Sequence, residues 1–196
     1  MSDEYKTIDK NGEGIYTEKR SKFLAFSFFV SSHEEVKEIV DEYRKKYYDA
    51  RHVCWAYVLG FEREDFRAND DGEPSSTAGK PILGQINSNE LTNILVIVVR
   101  YFGGVKLGTS GLIVAYRTAA AQAIADSHIV TREIEEELTY KFDYLIMNEV
   151  MRVIKEVEPR IVEQKFDNTC EFRLAIRRSR MPELKKRLQA IDYLNG

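Results

Sequence analysis

The sequence predicts an α+β fold, in which strands and helices are mixed along the chain. Residues 95–99 form an unbroken apolar run rich in β-branched side chains, which is typical of a strand covered on both faces. An alanine-rich helical segment, residues 111–127, follows this run across a glycine turn. Beyond it, charged residues give way to alternating strand and helix patterns. We therefore expect an N-terminal domain at residues 1–130 and a C-terminal domain at residues 131–196.

Composition and charge exclude several classes of protein. The net charge of −3, from 29 basic and 32 acidic residues, argues against coating nucleic acid by bulk charge alone. The two cysteines lie far apart, which argues against a disulfide framework or a cysteine-built zinc site and indicates a reducing compartment. Residues 1–10 lack the apolar core of a signal peptide, and no run approaches the ~18 apolar residues of a membrane span. We expect a soluble, cytoplasmic protein.

The N-terminal domain is predicted to open with strand, helix and strand. Residues 21–31 form an aromatic-rich strand, and residues 32–35 have the serine and glutamate spacing of a capping box before an amphipathic helix. Residues 52–59 form a second strand, whose partner across a turn is predicted at residues 61–68. A loop of turn-forming residues, 69–79, precedes a short helix that Pro81 can start.

The C-terminal domain is predicted to begin a split βαβ sandwich, the ferredoxin-like arrangement. The expected order is strand, helix, strand, strand and helix, at residues 138–144, 145–157, 160–166, 169–176 and 182–191. A closing strand is expected next in this fold. Either that strand is absent, or Tyr193 and Leu194 are its remnant.

The turn after the central strand is a candidate anion-binding site. Its glycines allow positive φ, Thr109 or Ser110 can cap the following helix, and the amides at the helix start lie near Lys106. Alternatively, the glycines serve only to bend the chain sharply. The candidate anion- or nucleic-acid-binding residues are Arg100, Tyr101, Gly103, Gly104, Lys106, Gly108, Thr109, Ser110 and Gly111.

The loop before the short helix is acidic, and two interpretations apply to it. Its candidate residues are Asp70, Asp71, Gly72, Glu73, Ser75 and Thr77. Three carboxylates within four residues can hold Mg²⁺ through oxygen ligands, but the calcium-loop pattern fails. A solvated acidic loop that N-caps the next helix is the favoured interpretation. Neither a phosphate-binding loop nor a dinucleotide fingerprint is present, so we expect no metal and no cofactor.

Two further groups of side chains each have a functional and a structural interpretation. His52 and Cys54 lie on one face of a predicted strand, as nucleophilic catalysis requires, but a buried cysteine in an apolar strand usually packs. We therefore predict no catalytic residue. A C-terminal basic cluster that includes Arg177 and Arg178 can meet RNA phosphates, although solvated basic side chains are common on such surfaces.

Two motifs resemble the signature of the IMPACT family. They are NDDGEPSSTAG at residues 69–79 and VRYFGGVKLG at residues 99–108, and the two-domain layout covers almost the whole chain. Ser110 departs from the glycine that the family commonly has there, which weakens the case for close backbone approach at this position. Without a further N-terminal domain, the chain is similar to the bacterial members.

The resemblance implies an N-terminal domain with the βαβ fold of the second domain of a small-subunit ribosomal protein. It also implies a ferredoxin-like C-terminal domain similar to domains of elongation factor G, and a link to translation and its regulation. We therefore expect a non-enzymatic cytoplasmic protein that binds RNA or the ribosome, with a regulatory protein as a possible partner. The alternatives are a metal-dependent hydrolase acting on a small or phosphorylated substrate and a protein-interaction adaptor.

Overall fold

The computed structural model describes residues 2–196, which divide into two compact units. The larger unit is Tyr5–Arg132, and the smaller unit consists of residues 2–4 together with Glu133–Gly196. Both units combine strands with helices, so the predicted α+β class is confirmed.

Most of the secondary structure belongs to the larger unit. Its strands are β1 (Glu4–Lys10), β2 (Gly12–Glu18), β3 (Ser21–Phe29), β4 (His52–Leu59), β5 (Asp65–Asn69), β6 (Ile94–Tyr101) and β7 (His128–Glu133). Its helices are α1 (His33–Lys46), α2 (Gly79–Ser88) and α3 (Gly108–Asp126). Strands β1 and β7 each extend one residue beyond the unit and form a two-stranded sheet.

A five-stranded sheet in the order β2-β3-β6-β4-β5 forms the centre of the larger unit. Each neighbouring pair in it is antiparallel. Strand β6 lies in the middle and is almost entirely buried, as its apolar run predicts. Because successive side chains point to opposite faces, Val96 and Val98 pack in the core with α2 and α3, whereas Ile97 and Val99 pack in the core with α1.

Local sequence explains how α1 begins. The side chain of Ser32 accepts a hydrogen bond from the Glu35 amide at 3.2 Å, which is the N-cap half of the predicted capping box. The Glu35 carboxylate departs from that motif, because it accepts from the amide and hydroxyl of Ser31 instead of the Ser32 amide. The buried face of α1 includes Val36 and Val40, as the helical spacing predicts.

Strand β2 is one edge of the sheet, and α3 lies directly against it. A methyl group added at Gly14 would lie 2.8 Å from the Ala123 amide nitrogen, so only glycine permits this close approach. Side chains of α3 also bind the free edge of β2. The amide of Glu13 donates to Asp126 at 2.9 Å, and the amide of Ile15 donates to Gln122 at 3.0 Å.

The smaller unit has the strand and helix order expected of a split βαβ fold. Its elements are β8 (Glu135–Phe142), α4 (Met147–Val157), β9 (Arg160–Phe166), β10 (Cys170–Arg177) and α5 (Met181–Asn195). The sheet order is β8-β10-β9, and β10 is antiparallel to both neighbours. Tyr193 and Leu194 lie within α5, so their interpretation as the remnant of a closing strand is wrong.

Candidate functional site

The acidic loop sends one carboxylate into the larger unit. Glu73 is buried, and its Oε1 atom accepts hydrogen bonds from Arg100 Nη1 at 2.6 Å and from the Tyr116 hydroxyl at 2.8 Å. His52 Nε2 lies 3.5 Å from the same oxygen. The side chains of Glu73 and Arg100 are only 2% and 7% exposed, so this ion pair is shielded from water and from salt screening.

Asp70 shapes the loop that delivers Glu73. Its carboxylate accepts from the amides of Ser76 at 2.9 Å, Ala78 at 3.1 Å and Gly79 at 2.8 Å, and α2 starts at this point. The acidic loop therefore supplies an acceptor for the amides at the start of this helix, although the N-cap residue, Ala78, has no capping side chain. The loop is not fully solvated, however, because Glu73 turns inward to meet Arg100.

Asp71 connects the loop to the start of β4. Its carboxylate accepts from the Val53 amide at 2.7 Å and lies 3.4 Å from Arg44 Nη2. Its backbone carbonyl lies 2.7 Å from His52 Nδ1. Because a carbonyl can only accept, Nδ1 carries the proton in this contact, and Nε2 is the ring nitrogen that faces Glu73.

All three acidic side chains of the loop thus have protein hydrogen-bond donors. Within residues 2–196, we find no cluster of three or more His, Cys, Asp or Glu side chains that could hold a metal ion. Nothing in the donor set of this loop favours the hydrolase alternative.

Cys54 lies beneath the same cluster and is fully buried. Its sulfur lies 3.1 Å from the Asp70 carbonyl oxygen and 3.4 Å from the Tyr116 hydroxyl. Burial raises the pKa of the Cys54 thiol well above its usual value, and burial likewise raises the pKa of Tyr116. Its burial in the core agrees with the packing interpretation of this cysteine.

A cavity of about 350 Å³ opens over the Arg100–Glu73 pair. It unites four residues predicted for the anion site, Arg100, Lys106, Gly108 and Thr109, with Glu73 of the acidic loop. The remaining lining residues are Arg51, His52, Pro74, Phe102, Leu107 and Leu112. The sequence motifs 69–79 and 99–108 therefore meet at one place in the structure.

The start of α3 forms one wall of this cavity. Leu107 is the N-cap residue and has no side-chain oxygen to offer, and Gly108 adopts a φ of +73°. The prediction that Thr109 or Ser110 caps this helix is wrong, because the helix begins at Gly108 and both residues already lie in its first turn. The first amides of α3 are consequently available to a ligand.

Other residues predicted for the anion site lie elsewhere. The Tyr101 hydroxyl donates to Asp49 at 2.8 Å, and the Gly103 amide donates to Ser21 at 3.1 Å. Gly104 lies in the turn after β6 but does not line the cavity. Ser110 and Gly111 line a different depression beside Tyr16 and Lys19.

The rest of the acidic loop serves the fold of the loop itself. Gly72 lies beside the His52 ring, where an added methyl group would make ordinary contact at 3.5 Å. Thr77 is buried, and its hydroxyl donates to the Pro74 carbonyl at 2.6 Å. Ser75 is exposed.

The basic side chains predicted near the C-terminus belong to the smaller unit and form ion pairs there. Arg177 lies 3.0 Å from Asp3, 2.8 Å from Glu4 and 3.4 Å from Glu133. Arg178 lies 3.3 Å from Glu136. These acidic partners compete with phosphate for the two guanidinium groups.

Sequence reasoning did not assign Arg51, Phe102 or Tyr116 to the site. The Arg51 amide donates to the Arg100 carbonyl at 2.9 Å, so Arg51 reaches the cavity because β4 pairs with β6. The guanidinium carbons of Arg51 and Arg100 each lie 5.5 Å from the centre of the Phe102 ring. Only the position of Phe102 within the conspicuous motif 99–108 is visible in the sequence.

The helices of the described chain, residues 2–196, include none that is both long enough and apolar enough to cross a bilayer.

Comparisons with known proteins identify two bacterial relatives and a solved structure that are similar to this chain. The chain is 32% identical over 172 residues to the IMPACT family member YvyE of Bacillus subtilis, covering 88% of this chain and 79% of that protein. It is 30% identical over 180 residues to YigZ of Escherichia coli, covering 91% and 87%. A crystal structure described as that of a hypothetical protein matches with a TM-score of 0.73 and 26% identity, covering 100% and 95%.

The family model for the Impact N-terminal domain matches residues 19–124, which include the acidic loop, the central strand and most of α3. That match spans more than half of the chain, and the similarity to the bacterial relatives extends through both units. The chain therefore belongs to the IMPACT family, as its two motifs indicate.

Proposed function

We propose that this chain is a cytoplasmic protein that acts in translation or its regulation by binding RNA or the ribosome. The observation that carries the proposal is the cavity at the start of α3, where cations and free helix amides converge. The family resemblance supports the link to translation. Net negative charge requires any phosphate contact to be local, and the cavity offers such a local contact.

The exposed cations of the cavity are the residues to test first. Arg100 is unsuitable as the primary variant, because removing it leaves the buried Glu73 carboxylate without its cation. Arg51 and Lys106 are both exposed at the rim, so alanine at either position removes a charge without opening the core. Lys80, an exposed lysine on α2 that does not line the cavity, gives a matched control.

The experiment measures RNA binding and co-sedimentation with ribosomes over a range of salt concentrations. We expect Lys106→Ala to weaken binding for all RNA sequences alike and to reduce the slope of log affinity against log salt by about 1. The Arg51→Ala and Lys106→Ala double variant should bind more weakly than either single variant. Unchanged binding in the double variant, with Lys80→Ala also unchanged, would refute the proposal.

The hydrogen bonds of the acidic loop disfavour a metal-dependent hydrolase as a second function. Asp70 and Asp71 are each held by backbone amides, and Glu73 is held by Arg100 and Tyr116. A metal would have to displace these donors to bind the carboxylates.

A further inference from the structure

The residues that line the cavity at the start of α3 carry more positive charge than one internal nucleic-acid phosphate can neutralise. Arg51, Arg100 and Lys106 line it with three cations, and Glu73 is the one carboxylate among its lining residues. The two arginines, the lysine and the one carboxylate together leave a surplus of two positive charges. A phosphomonoester carries about −1.5 to −2 charges at pH 7, whereas a phosphodiester carries a single charge. The charge balance therefore matches a monoester.

Arg100 also has a hydrogen-bond donor that the described residues leave unused. Its side chain is 7% exposed and lines the cavity, yet its Nε atom is buried without a hydrogen-bond partner in residues 2–196. The guanidinium is held between aromatic rings, with its carbon 5.6 Å from the Phe23 ring centre and 5.5 Å from that of Phe102. A buried donor without a partner is unfavourable, and this one belongs to a side chain that lines the cavity.

The helix start adds donors on the adjoining wall. The amides of Gly108 and Thr109 lie at the positive end of a 19-residue helix that no N-cap side chain closes. Unlike Arg100, Gly108 and Thr109 are exposed residues. A group with three oxygens can therefore use the helix start, the rim cations and the floor together.

His52 provides the remaining polar atom of the floor. Its Nδ1–H is committed to the Asp71 carbonyl at 2.7 Å, which leaves Nε2 to face Glu73 Oε1 and the cavity.

We propose that this cavity binds a terminal phosphomonoester, as found at the end of an RNA strand or on a mononucleotide. The inference deepens the proposed function, on which the RNA form of the ligand rests. The volume of about 350 Å³ is sufficient for a terminal phosphate together with part of its nucleotide. Phe102, 43% exposed at the rim, adds an apolar surface beside the phosphate position.

The test compares oligoribonucleotides of one sequence that differ only at their ends. One has a 5′ phosphate, one a 3′ phosphate and one hydroxyls at both ends, and each carries an internal fluorophore for anisotropy with the full chain. We expect at least one phosphorylated form to bind about tenfold more tightly than the hydroxyl form, a difference of about 1.4 kcal/mol. In Lys106→Ala this difference should fall below threefold, whereas Lys80→Ala should retain it.

A second arm measures direct binding of the mononucleotide and of inorganic phosphate to the full chain by isothermal titration calorimetry. Direct binding of the mononucleotide, lost in Lys106→Ala, supports the phosphomonoester site even if no oligonucleotide binds, and in that case only the RNA function falls. Equal affinity for all three oligonucleotides, together with weaker binding in Lys106→Ala, overturns the terminal-phosphate inference and leaves the proposed function standing. Absence of binding to oligonucleotides, mononucleotide and phosphate alike overturns both.

Discussion

Replacing Glu73 with glutamine tests whether the buried ion pair stabilises the larger unit. Glutamine keeps an oxygen for the Tyr116 hydroxyl but removes the charge that compensates Arg100, whose side chain is 7% exposed. Breaking a buried pair by removing one partner costs about 3–5 kcal/mol. Since whole domains are stable by only about 5–15 kcal/mol, we expect a large fall in the free energy of unfolding.

The chain provides its own probe for this measurement. Trp55 is the single tryptophan, is 8% exposed, and lies on β4 within the larger unit. Its fluorescence during urea unfolding therefore reports the stability of that unit. The single variants Glu73→Gln and Arg100→Met should each be strongly destabilised.

The double variant Glu73→Gln with Arg100→Met separates the ion pair from general damage to packing. Because no uncompensated charge remains, we expect the double variant to lose about 2–3 kcal/mol less in free energy of unfolding than the two single variants lose together. Single losses below about 1 kcal/mol, or losses that simply add, would refute the reasoning that these two groups are buried against each other.

Three further predictions concern single positions on α1, α2, β2 and β4. Gly84 lies on α2 with open space around it, so Gly84→Ala should raise the free energy of unfolding by about 0.5–1 kcal/mol. Gly14→Ala should lower the free energy of unfolding, because the added methyl group would collide with the backbone of α3. Urea titrations measure both changes. Ser32→Ala should cost about 1 kcal/mol by the same measurement, because α1 loses its N-cap. Burial and a raised pKa should keep the Cys54 thiol unreactive toward Ellman's reagent at pH 8. Cys170 is also buried, so both thiols should react only after unfolding. Rapid reaction of the native protein would contradict this prediction.

Apolar patterning accounts for most of the elements that could be predicted. Strand β4 has the predicted bounds, 52–59, because an apolar run forms a central strand wherever its partners lie. Strands β1, β2 and β7 were not predicted. They are rich in polar residues and exposed positions, and their pairing depends on partners distant in the chain rather than on local preference.

The candidate site was predicted in part for a related reason. Glycines and cations near a helix start are visible in the sequence, and Lys106, Gly108 and Thr109 do line the cavity. The pairing of Arg100 with Glu73, 27 residues away, depends on the path of the acidic loop, which is set by hydrogen bonds to Asp70. Short-range patterns do not encode such a contact.

The bonds from α3 to β2 determine how copies of the chain can associate through the five-stranded sheet. Asp126 and Gln122 occupy outward amides of β2, so an incoming strand would first have to displace them. Growth of this sheet is thereby restricted to its β5 side. Two copies joined edge to edge through β5 would leave only their β2 edges exposed, and those edges are already hydrogen-bonded to α3. Such pairing therefore stops at a dimer and does not continue into a filament.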